Sequence, residues 1–342
     1  MIITRTPLRI SFLGGGTDYP EYFLKHGGAV LATAVDKSAY FNVSRFYSRL
    51  FDYSIRVAYR QVECVRSIDE LQHAPFRECL RWTGLTHDIE INHAAELPAF
   101  TGLGSSSSFV VGLLNGIYTF QNKTVSPLDL AYEAVEIERG VLKESVGCQD
   151  QTLAAVGGFN LIEFRGMHDF RVHPLPLTKE RLQEFEAHLL VFFTGIKRRA
   201  EELAAQQVNR VPENLDRLAA LRALVDKGYD TLVKPGSIAR FGKLLHKAWL
   251  LKRGLAAAVS NDTVDRIYQA GLDAGALGGK LLGAGGGGFI LLFVPPERKA
   301  AVRHQLAHLQ EVEFAANAPG THAIDCRCRP QLISADTLRK AA

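Results

Sequence analysis

The sequence predicts an α+β fold with two domains, and three observations support this. The chain has 342 residues, which is more than one hydrophobic core usually organises. Runs rich in β-branched and aromatic residues dominate the first half, whereas long helical patterns dominate the second half. Two closely spaced prolines, Pro174 and Pro176, follow the last strand pattern of the first half. We therefore expect one domain over residues 1–177 and a second over residues 178–342.

The composition is ordinary for a soluble globular protein, with 47% hydrophobic and 22% charged residues. The formal net charge of +4 is spread along the chain without a long basic run, which argues against a nucleic-acid partner. No apolar run is long enough for a membrane span or a signal peptide. Five cysteines without paired spacing suit a reducing compartment. We expect a cytoplasmic enzyme without a membrane partner, and a homo-oligomer remains open.

The first half begins with a strand that ends in a glycine turn. Residues 8–12 alternate between apolar and polar side chains, with Arg9 on the polar side, and Gly14 to Gly16 follow. Consecutive glycines indicate close approach of the backbone to another group, which weakens the alternative that Arg9 is a solvated edge charge. Asp18, directly after the turn, is a candidate ligand for a hydroxyl group or a cation, or an ordinary turn aspartate.

Further strands are predicted over residues 29–43 and 53–65, a short helix over 76–82 and a strand at 89–91. The segment PAFTGLGSSSSFVVGLLNG, residues 98–116, then passes from a loop into a helix. Its glycines and serines stand at the helix N-terminus, where free N–H groups and the helix dipole favour an anion. A serine-rich linker is the alternative, but a linker rarely runs into a buried helix. The segment is not a P-loop, because no lysine follows its glycines.

A second helix begins at Ser126, which is followed by proline and, three positions on, by an acid. Glu136 and Glu138 lie along this helix, and solvated surface positions would explain them equally well. Gly147 breaks the chain, and Asp150 then falls in the first turn of a short helix, where an acid often only complements the dipole.

The remaining elements are predicted from period and turn residues. They are a hairpin at 159–164 and 170–173, a strand at 188–194, helices at 212–228, 237–254, 261–274 and 297–309, and strands at 289–294 and 312–314. A glycine-rich turn at 283–288 contains G-x-G-x-x-G but precedes a strand. A Rossmann site requires a helix there, so that interpretation fails.

Three motifs in this order resemble those of the GHMP-type small-molecule kinases, the superfamily of galactokinase, homoserine kinase and mevalonate kinase. The motifs are Pro7-Leu8-Arg9 with GGGTD, PAFTGLGSSSS and KLLGAGGGGF. The resemblance implies a two-domain GHMP kinase-like fold. Its N-terminal domain would be an α/β domain similar to ribosomal protein S5, and its C-terminal domain a ferredoxin-like α+β domain.

Within this superfamily the chain is most similar to bacterial D-glycero-D-manno-heptose 7-phosphate kinases. The segments RISFLGGGTDYPEYF, VGCQDQTLAAVGGFN and FFTGIKRRA carry that similarity. Galactokinases have Glu-His where this chain has Gly15 and Gly16, which favours a different acceptor.

The resemblance implies a role for each motif residue. Asp150 would be the catalytic aspartate, and Arg9 the cation that keeps it charged and offsets charge on the transferred group. Ser106 and Glu138 would bind Mg²⁺, with Glu136 as an alternative to Glu138. The residues that would bind the ATP phosphates are Gly102, Leu103, Gly104, Ser105, Ser106, Ser107 and Ser108.

The implied reaction is phosphorylation of the anomeric hydroxyl of heptose 7-phosphate, giving the 1,7-bisphosphate for nucleotide-activated heptose and surface polysaccharides. An anomeric kinase for an unphosphorylated sugar such as fucose or galactose is the alternative. A non-catalytic sensor of sugar and ATP is a third hypothesis. Residues expected to contact the acceptor or its distal phosphate are Gly15, Gly16, Thr17, Asp18, Lys197, Arg198, Lys280, Gly285 and Gly286.

Overall fold

The structure is a computed structural model that describes residues 1–99, 101–197 and 200–324. Its strands form two separate sheets flanked by helices, which confirms the predicted α+β class. The division of the chain at residue 177 stays a prediction. The strands are β1 (Ile2–Leu13), β2 (Gly28–Arg45), β3 (Ile55–Ala58), β4 (Val62–Val65), β5 (Ile89–Ala95), β6 (Phe159–Gly166), β7 (Asp169–Pro174), β8 (Leu189–Phe193), β9 (Gly278–Leu281), β10 (Phe289–Phe293), β11 (Gln310–Glu311) and β12 (His322–Ile324).

The helices lie against these sheets and connect their strands. The helices are α1 (Pro20–His26), α2 (Ala74–Thr83), α3 (Ser105–Phe120), α4 (Pro127–Val135), α5 (Gln149–Val156), α6 (Lys179–Ala187), α7 (Ala200–Asn209), α8 (Leu215–Val233), α9 (Ala239–Arg253), α10 (Asp262–Asp273) and α11 (Lys299–Gln305). A π-helical segment, Glu136–Val141, directly continues α4.

The first sheet has the strand order β12-β1-β2-β5-β3-β4, with β6 and β7 attached along β2. The long strand β2 pairs with β6 over residues 28–33 and with β5 over residues 39–45. The first and last parts of β2 therefore pair with different strands of the sheet. Helices α3 and α5 pack on β1 and β2, which brings the N-termini of both helices close to the end of β1.

The second sheet is antiparallel, in the order β11-β8-β10-β9. Its strand β10 is buried along its whole length, as expected for an uninterrupted run of apolar residues. Aromatic rings join the two sheets: Phe12 of β1 lies 5.1 Å from Phe185 and 5.8 Å from Phe241, and Phe185 lies 5.9 Å from Phe293 (centroid distances). The two sheets therefore share one core.

The structure differs from the sequence predictions mainly in short elements. The strand expected at 312–314 is found at Gln310–Glu311, and the helix expected at 297–309 is confined to Lys299–Gln305. Helices α1 and α6 and strands β9 and β12 were not predicted, because elements of three to nine residues show little periodicity. Within the described ranges, no helix has both the length and the apolar character needed to cross a bilayer.

Candidate active site

A cavity of about 470 Å³ lies where β1, α3, α5 and α9 meet. The phosphate loop, residues 102–108, forms one wall, and Gly104 to Ser107 line the cavity. Gly102 and Gly104 have φ values of 83° and 75°, a conformation that favours glycine. The first N–H groups of a helix have no acceptor within the helix, so the start of α3 presents donors and a positive dipole end to this cavity.

The four serines of the loop have different surroundings. Ser106 is exposed, whereas Ser107 and Ser108 are buried. The Ser107 hydroxyl donates to the Glu138 carboxylate, at 3.1 and 3.0 Å from its two oxygens. The Ser108 hydroxyl donates to the Pro7 carbonyl at 2.8 Å, which ties the loop to β1. Ser106, expected to bind the metal, faces the cavity, but its neighbour Ser107 is the serine that contacts Glu138.

Glu138 lies in the π-helical segment and is fully buried. The Gln151 amide also donates to its carboxylate. Burial, followed by the nearby negative charge of Glu144, raises the pKa of the Glu138 carboxyl to about 8. Glu136, the alternative, is exposed. Glu144 also lines the cavity, and no sequence pattern predicts this because Glu144 lies in an irregular loop.

Arg9 and Asp150 form a bidentate ion pair beside the phosphate loop. Arg9 Nε and Nη2 lie 2.6 Å from Asp150 Oδ1 and Oδ2, and Arg9 Nη1 lies 2.7 Å from the Gly102 carbonyl oxygen. The side chains are 7% and 22% exposed. A methyl group on Gly104 would lie 3.3 Å from Asp150 Oδ2. The glycine therefore lets this carboxylate lie directly against the loop.

Asp18 is the second aspartate of the cavity, and it is buried. Its Oδ1 accepts a hydrogen bond from the Gly16 N–H at 2.9 Å, and burial raises its pKa. Thr17, expected to contact the acceptor, is held elsewhere: its hydroxyl donates to the carbonyls of Gly14, at 2.8 Å, and Ala29, at 2.9 Å. Thr17 therefore fixes the turn that presents Asp18.

Two buried lysines extend into the cavity from the second half of the chain. Lys280 Nζ donates to the β1 carbonyls of Ser11 and Phe12, at 2.7 and 3.2 Å, so it fastens β9 to β1. Lys252 Nζ donates to the Gly283 carbonyl at 2.7 Å. Burial lowers the Lys252 pKa to about 8. Sequence reasoning missed Lys252, because a lysine near the end of an amphipathic helix normally lies in solvent.

The third glycine turn, residues 283–288, packs closely against backbone. A methyl group on Gly285 would lie 2.7 Å from Val259, and Gly286 N–H donates to the Val259 carbonyl at 3.0 Å. Gly283 and Ala284 line the cavity, and acceptor contact by Gly285 and Gly286 stays a prediction. Glycine permits close approach of a backbone and of a ligand equally.

Four further predicted residues remain to be placed. Gly15 and Gly16 are buried, and Gly16 lines the cavity. Lys197 is exposed, and Arg198 lies outside the residues that the structure describes.

Aromatic rings also line the cavity. The rings of His73 and His93 lie 5.1 and 4.8 Å from the Phe109 ring. Burial lowers the pKa of His93 to about 4, so this ring is uncharged near neutral pH. The cavity therefore combines aromatic ring surfaces with the residues of the phosphate loop and the carboxyl groups of Asp18 and Asp150.

Two family models and a relative of similar length match this chain. The model of the GHMP kinases N-terminal domain matches residues 65–158, and that of the GHMP kinases C-terminal domain matches residues 218–310. The Campylobacter jejuni D-glycero-alpha-D-manno-heptose 7-phosphate kinase is 30% identical, and the alignment covers 92% of this chain and 96% of that protein.

Two further relatives extend the comparison. A Bacteroides fragilis L-fucokinase/L-fucose-1-P guanylyltransferase is 27% identical over 87% of this chain and 35% of its own length. The crystal structure of a D-glycero-D-manno-heptose 1-phosphate kinase from Bacteroides thetaiotaomicron superposes with a TM-score of 0.78 at 24% identity, covering 95% of this chain and 99% of the other. This structural likeness establishes a common fold.

Proposed function

The chain belongs to the GHMP kinase family of ATP-dependent phosphotransferases, and we propose that its acceptor is D-glycero-D-manno-heptose 7-phosphate. The anomeric oxygen would form a bond to the γ-phosphorus of ATP while the bond from that phosphorus to the bridging oxygen of ADP breaks. The products are the 1,7-bisphosphate, ADP and a proton. The near full-length similarity to the Campylobacter jejuni enzyme carries this choice of acceptor.

In this proposal the ATP phosphates bind at the phosphate loop. Free N–H groups at the start of α3 and the loop serines are donors for phosphate oxygens. The purine would lie against the rings of His73, His93 and Phe109, which line the cavity. This arrangement directs the terminal phosphate towards Asp150.

GHMP kinases typically use ATP with Mg²⁺, and the residues present here fit that ion. Glu138 is a buried carboxylate whose pKa is raised by burial and then by the nearby charge of Glu144, and serine hydroxyls adjoin it. Mg²⁺ prefers a few protein oxygens together with phosphate oxygens and water. No group of three His, Cys, Asp or Glu side chains forms a metal cage in the described part of the chain. Glu138 with Ser106 or Ser107 would hold the ion, which neutralises charge on the phosphates.

Asp150 and Arg9 would act on the acceptor hydroxyl. Each Asp150 oxygen bonds to Arg9 and retains a further lone pair, so the carboxylate can orient the hydroxyl and accept its proton as transfer proceeds. Arg9 would hold that carboxylate in place and offset negative charge on the phosphoryl group. Phosphoryl transfer depends mainly on such positioning and charge stabilisation.

A kinase for an unphosphorylated sugar is the second candidate. Arg9 and Lys280, which line the described cavity, each bond to two protein partners, and this leaves the recognition of a distal phosphate to other residues. The similarity to 35% of the Bacteroides fragilis L-fucokinase/L-fucose-1-P guanylyltransferase supports the same candidate.

An ADP-release assay across a panel of acceptors tests the proposal. The panel comprises the heptose 7-phosphate, the heptose 1-phosphate, the free heptose, fucose and galactose. We expect the highest kcat/KM for the 7-phosphate, with a new anomeric phosphate signal in the ³¹P spectrum. A kcat/KM for any unphosphorylated sugar equal to or above that of the 7-phosphate would reject this acceptor in favour of the second candidate.

A further inference from the structure

Gly15 differs from the glycines on either side of it. Gly14 and Gly16 have φ values of 83° and 106°, so their backbone conformation favours glycine. Gly15 has no such φ value, and a methyl group built on it would have no neighbour closer than 3.6 Å. Neither backbone strain nor packing therefore requires a glycine at position 15.

The atoms around this space are polar ends of side chains from three different elements. A methyl group on Gly15 would lie 3.6 Å from Ser11 Oγ, 3.7 Å from Lys252 Nζ and 3.8 Å from Gln149 Nε2. These side chains come from β1, α9 and α5, and all three line the cavity. We call the space above Gly15, bounded by Ser11, Gln149 and Lys252, the Gly15 niche.

The polar groups of the Gly15 niche are not fully hydrogen-bonded. Ser11 Oγ and Gln149 Oε1 are buried and have no hydrogen-bond partner among the described residues. A buried polar atom without a partner costs about 1–3 kcal/mol, so such atoms usually mark a place that a ligand or a water completes. Lys252 Nζ uses one donor on the Gly283 carbonyl, and an ammonium carries three.

We infer that the Gly15 niche binds hydroxyl groups of the acceptor sugar, that Lys252 is a specificity-determining residue, and that position 15 is a glycine to leave room for the sugar. This inference rests on the proposed function, because it assigns one part of the acceptor to one part of that site. Gln149 immediately precedes Asp150, so the niche adjoins the carboxylate that would face the reacting hydroxyl.

The chemistry of the niche favours hydroxyl groups over a phosphate group. A hydroxyl both donates and accepts, so it can pair with the Ser11 hydroxyl, with either end of the Gln149 amide and with Lys252. A phosphate dianion only accepts hydrogen bonds, so it would leave the buried Gln149 Oε1 without a donor. The distal phosphate of the acceptor would therefore lie outside the niche.

Gly15→Ala is the decisive variant, because the backbone can adopt it and only the niche is filled. We expect the KM for the acceptor to rise at least about tenfold, as one added methyl group does in a fitted site, with the KM for ATP and the thermal midpoint unchanged. Gly166→Ala is the matched control: it also has no positive φ, its added methyl would lie 3.7 Å from the Asp169 Cβ, and it lies in the β6–β7 hairpin. We expect it to leave both KM values unchanged.

Lys252→Met provides a second test that does not depend on the turn. It keeps the length of the side chain and removes its donors, so the acceptor KM should rise severalfold while the KM for ATP stays constant. Unchanged acceptor KM values in both variants, with folded protein, would overturn the inference. Both variants are assayed with whichever sugar the wild type turns over best, so a wrong choice of sugar in the proposed function would not conceal the result.

Discussion

The two aspartates that line the cavity differ in how far the protein itself satisfies them. Asp150 has both oxygens bonded to Arg9 at 2.6 Å, and its geometry is complete before any ligand binds. Asp18 is buried and accepts a backbone hydrogen bond from Gly16 at 2.9 Å, and it shares the cavity with Ser11 and Gln149, which have buried atoms without a partner among the described residues. Under the proposed function, this difference predicts two roles. The end with Asp150 would be preorganised for the reaction, whereas the sugar would complete the end with Asp18.

Asp150→Asn should give the largest effect, because it breaks the preorganised end. The change keeps the shape but removes the charge that pairs with Arg9 and the group that would accept the proton. We expect kcat to fall at least about a hundredfold with nearly unchanged nucleotide affinity. Steady-state ADP release, together with calorimetric titration of a non-hydrolysable ATP analogue, measures the two quantities. Wild-type turnover in this variant would remove Asp150 from the mechanism.

Asp18→Asn should give a smaller effect of a different kind, because it alters the end that the ligand completes. The amide can still accept the Gly16 hydrogen bond but presents a donor where the sugar would find an acceptor. We expect the acceptor KM to rise about tenfold, corresponding to one hydrogen bond to a charged group, with less change in kcat. If kcat fell by as much as in Asp150→Asn while the acceptor KM stayed constant, the division between the two ends would be wrong.

The smallest effect concerns the stability cost of the buried Lys252 charge. Burial lowers the Lys252 pKa from 10.5 to about 8, so between these values the unfolded chain holds a proton that the folded chain has released. Above pH 10.5 Lys252 is neutral in both states, and its burial then carries no charge cost. As the pH falls towards 8, the cost of burying this side chain progressively lowers the free energy of unfolding.

Lys252→Met removes this pH dependence of stability, so the wild type can be compared with a variant that lacks the buried charge. The free energy of unfolding of the wild type should rise relative to that of the variant by about 1 kcal/mol per pH unit between pH 8 and 9.5. Urea unfolding of both proteins at pH 7.5, 8.5 and 9.5 measures it, and taking the difference cancels groups that titrate in both. A difference independent of pH would mean that Lys252 is not a buried charge.

The sequence predicted the main elements of the site because each carries a local signal. The glycines at 102 and 104 followed by serines mark the loop and the start of α3, and Pro127 after Ser126 marks the start of α4. The contact between Arg9 and Asp150, 141 residues apart, came only from the family resemblance, since no local pattern encodes a distance between β1 and α5. Their chemical roles stay predictions.

The sequence could not reveal features that depend on packing between distant elements. Lys252 has the sequence surroundings of a surface lysine, and the packing of α9 against other elements of the fold buries it. The π-helical segment that turns Glu138 inward and leaves Glu136 exposed has no distinct period. Gly285 and Gly286 resemble ligand-binding glycines, yet their close neighbour is Val259. The glycines predicted a close approach by another group, and only the fold shows which group that is.

The seam between the phosphate loop and the third glycine turn links distant parts of the chain. A side chain on Gly102 would collide with the Leu282 carbonyl, one on Gly288 would collide with the Thr101 carbonyl, and one on Gly283 would lie 2.5 Å from the Gly102 Cα. A larger residue at these positions in either segment would require the other segment to move away. A chimera that exchanged one half of the molecule for that of a relative would therefore have to inherit matching glycines on both sides. Otherwise each half could fold while the phosphate loop between them lost its shape.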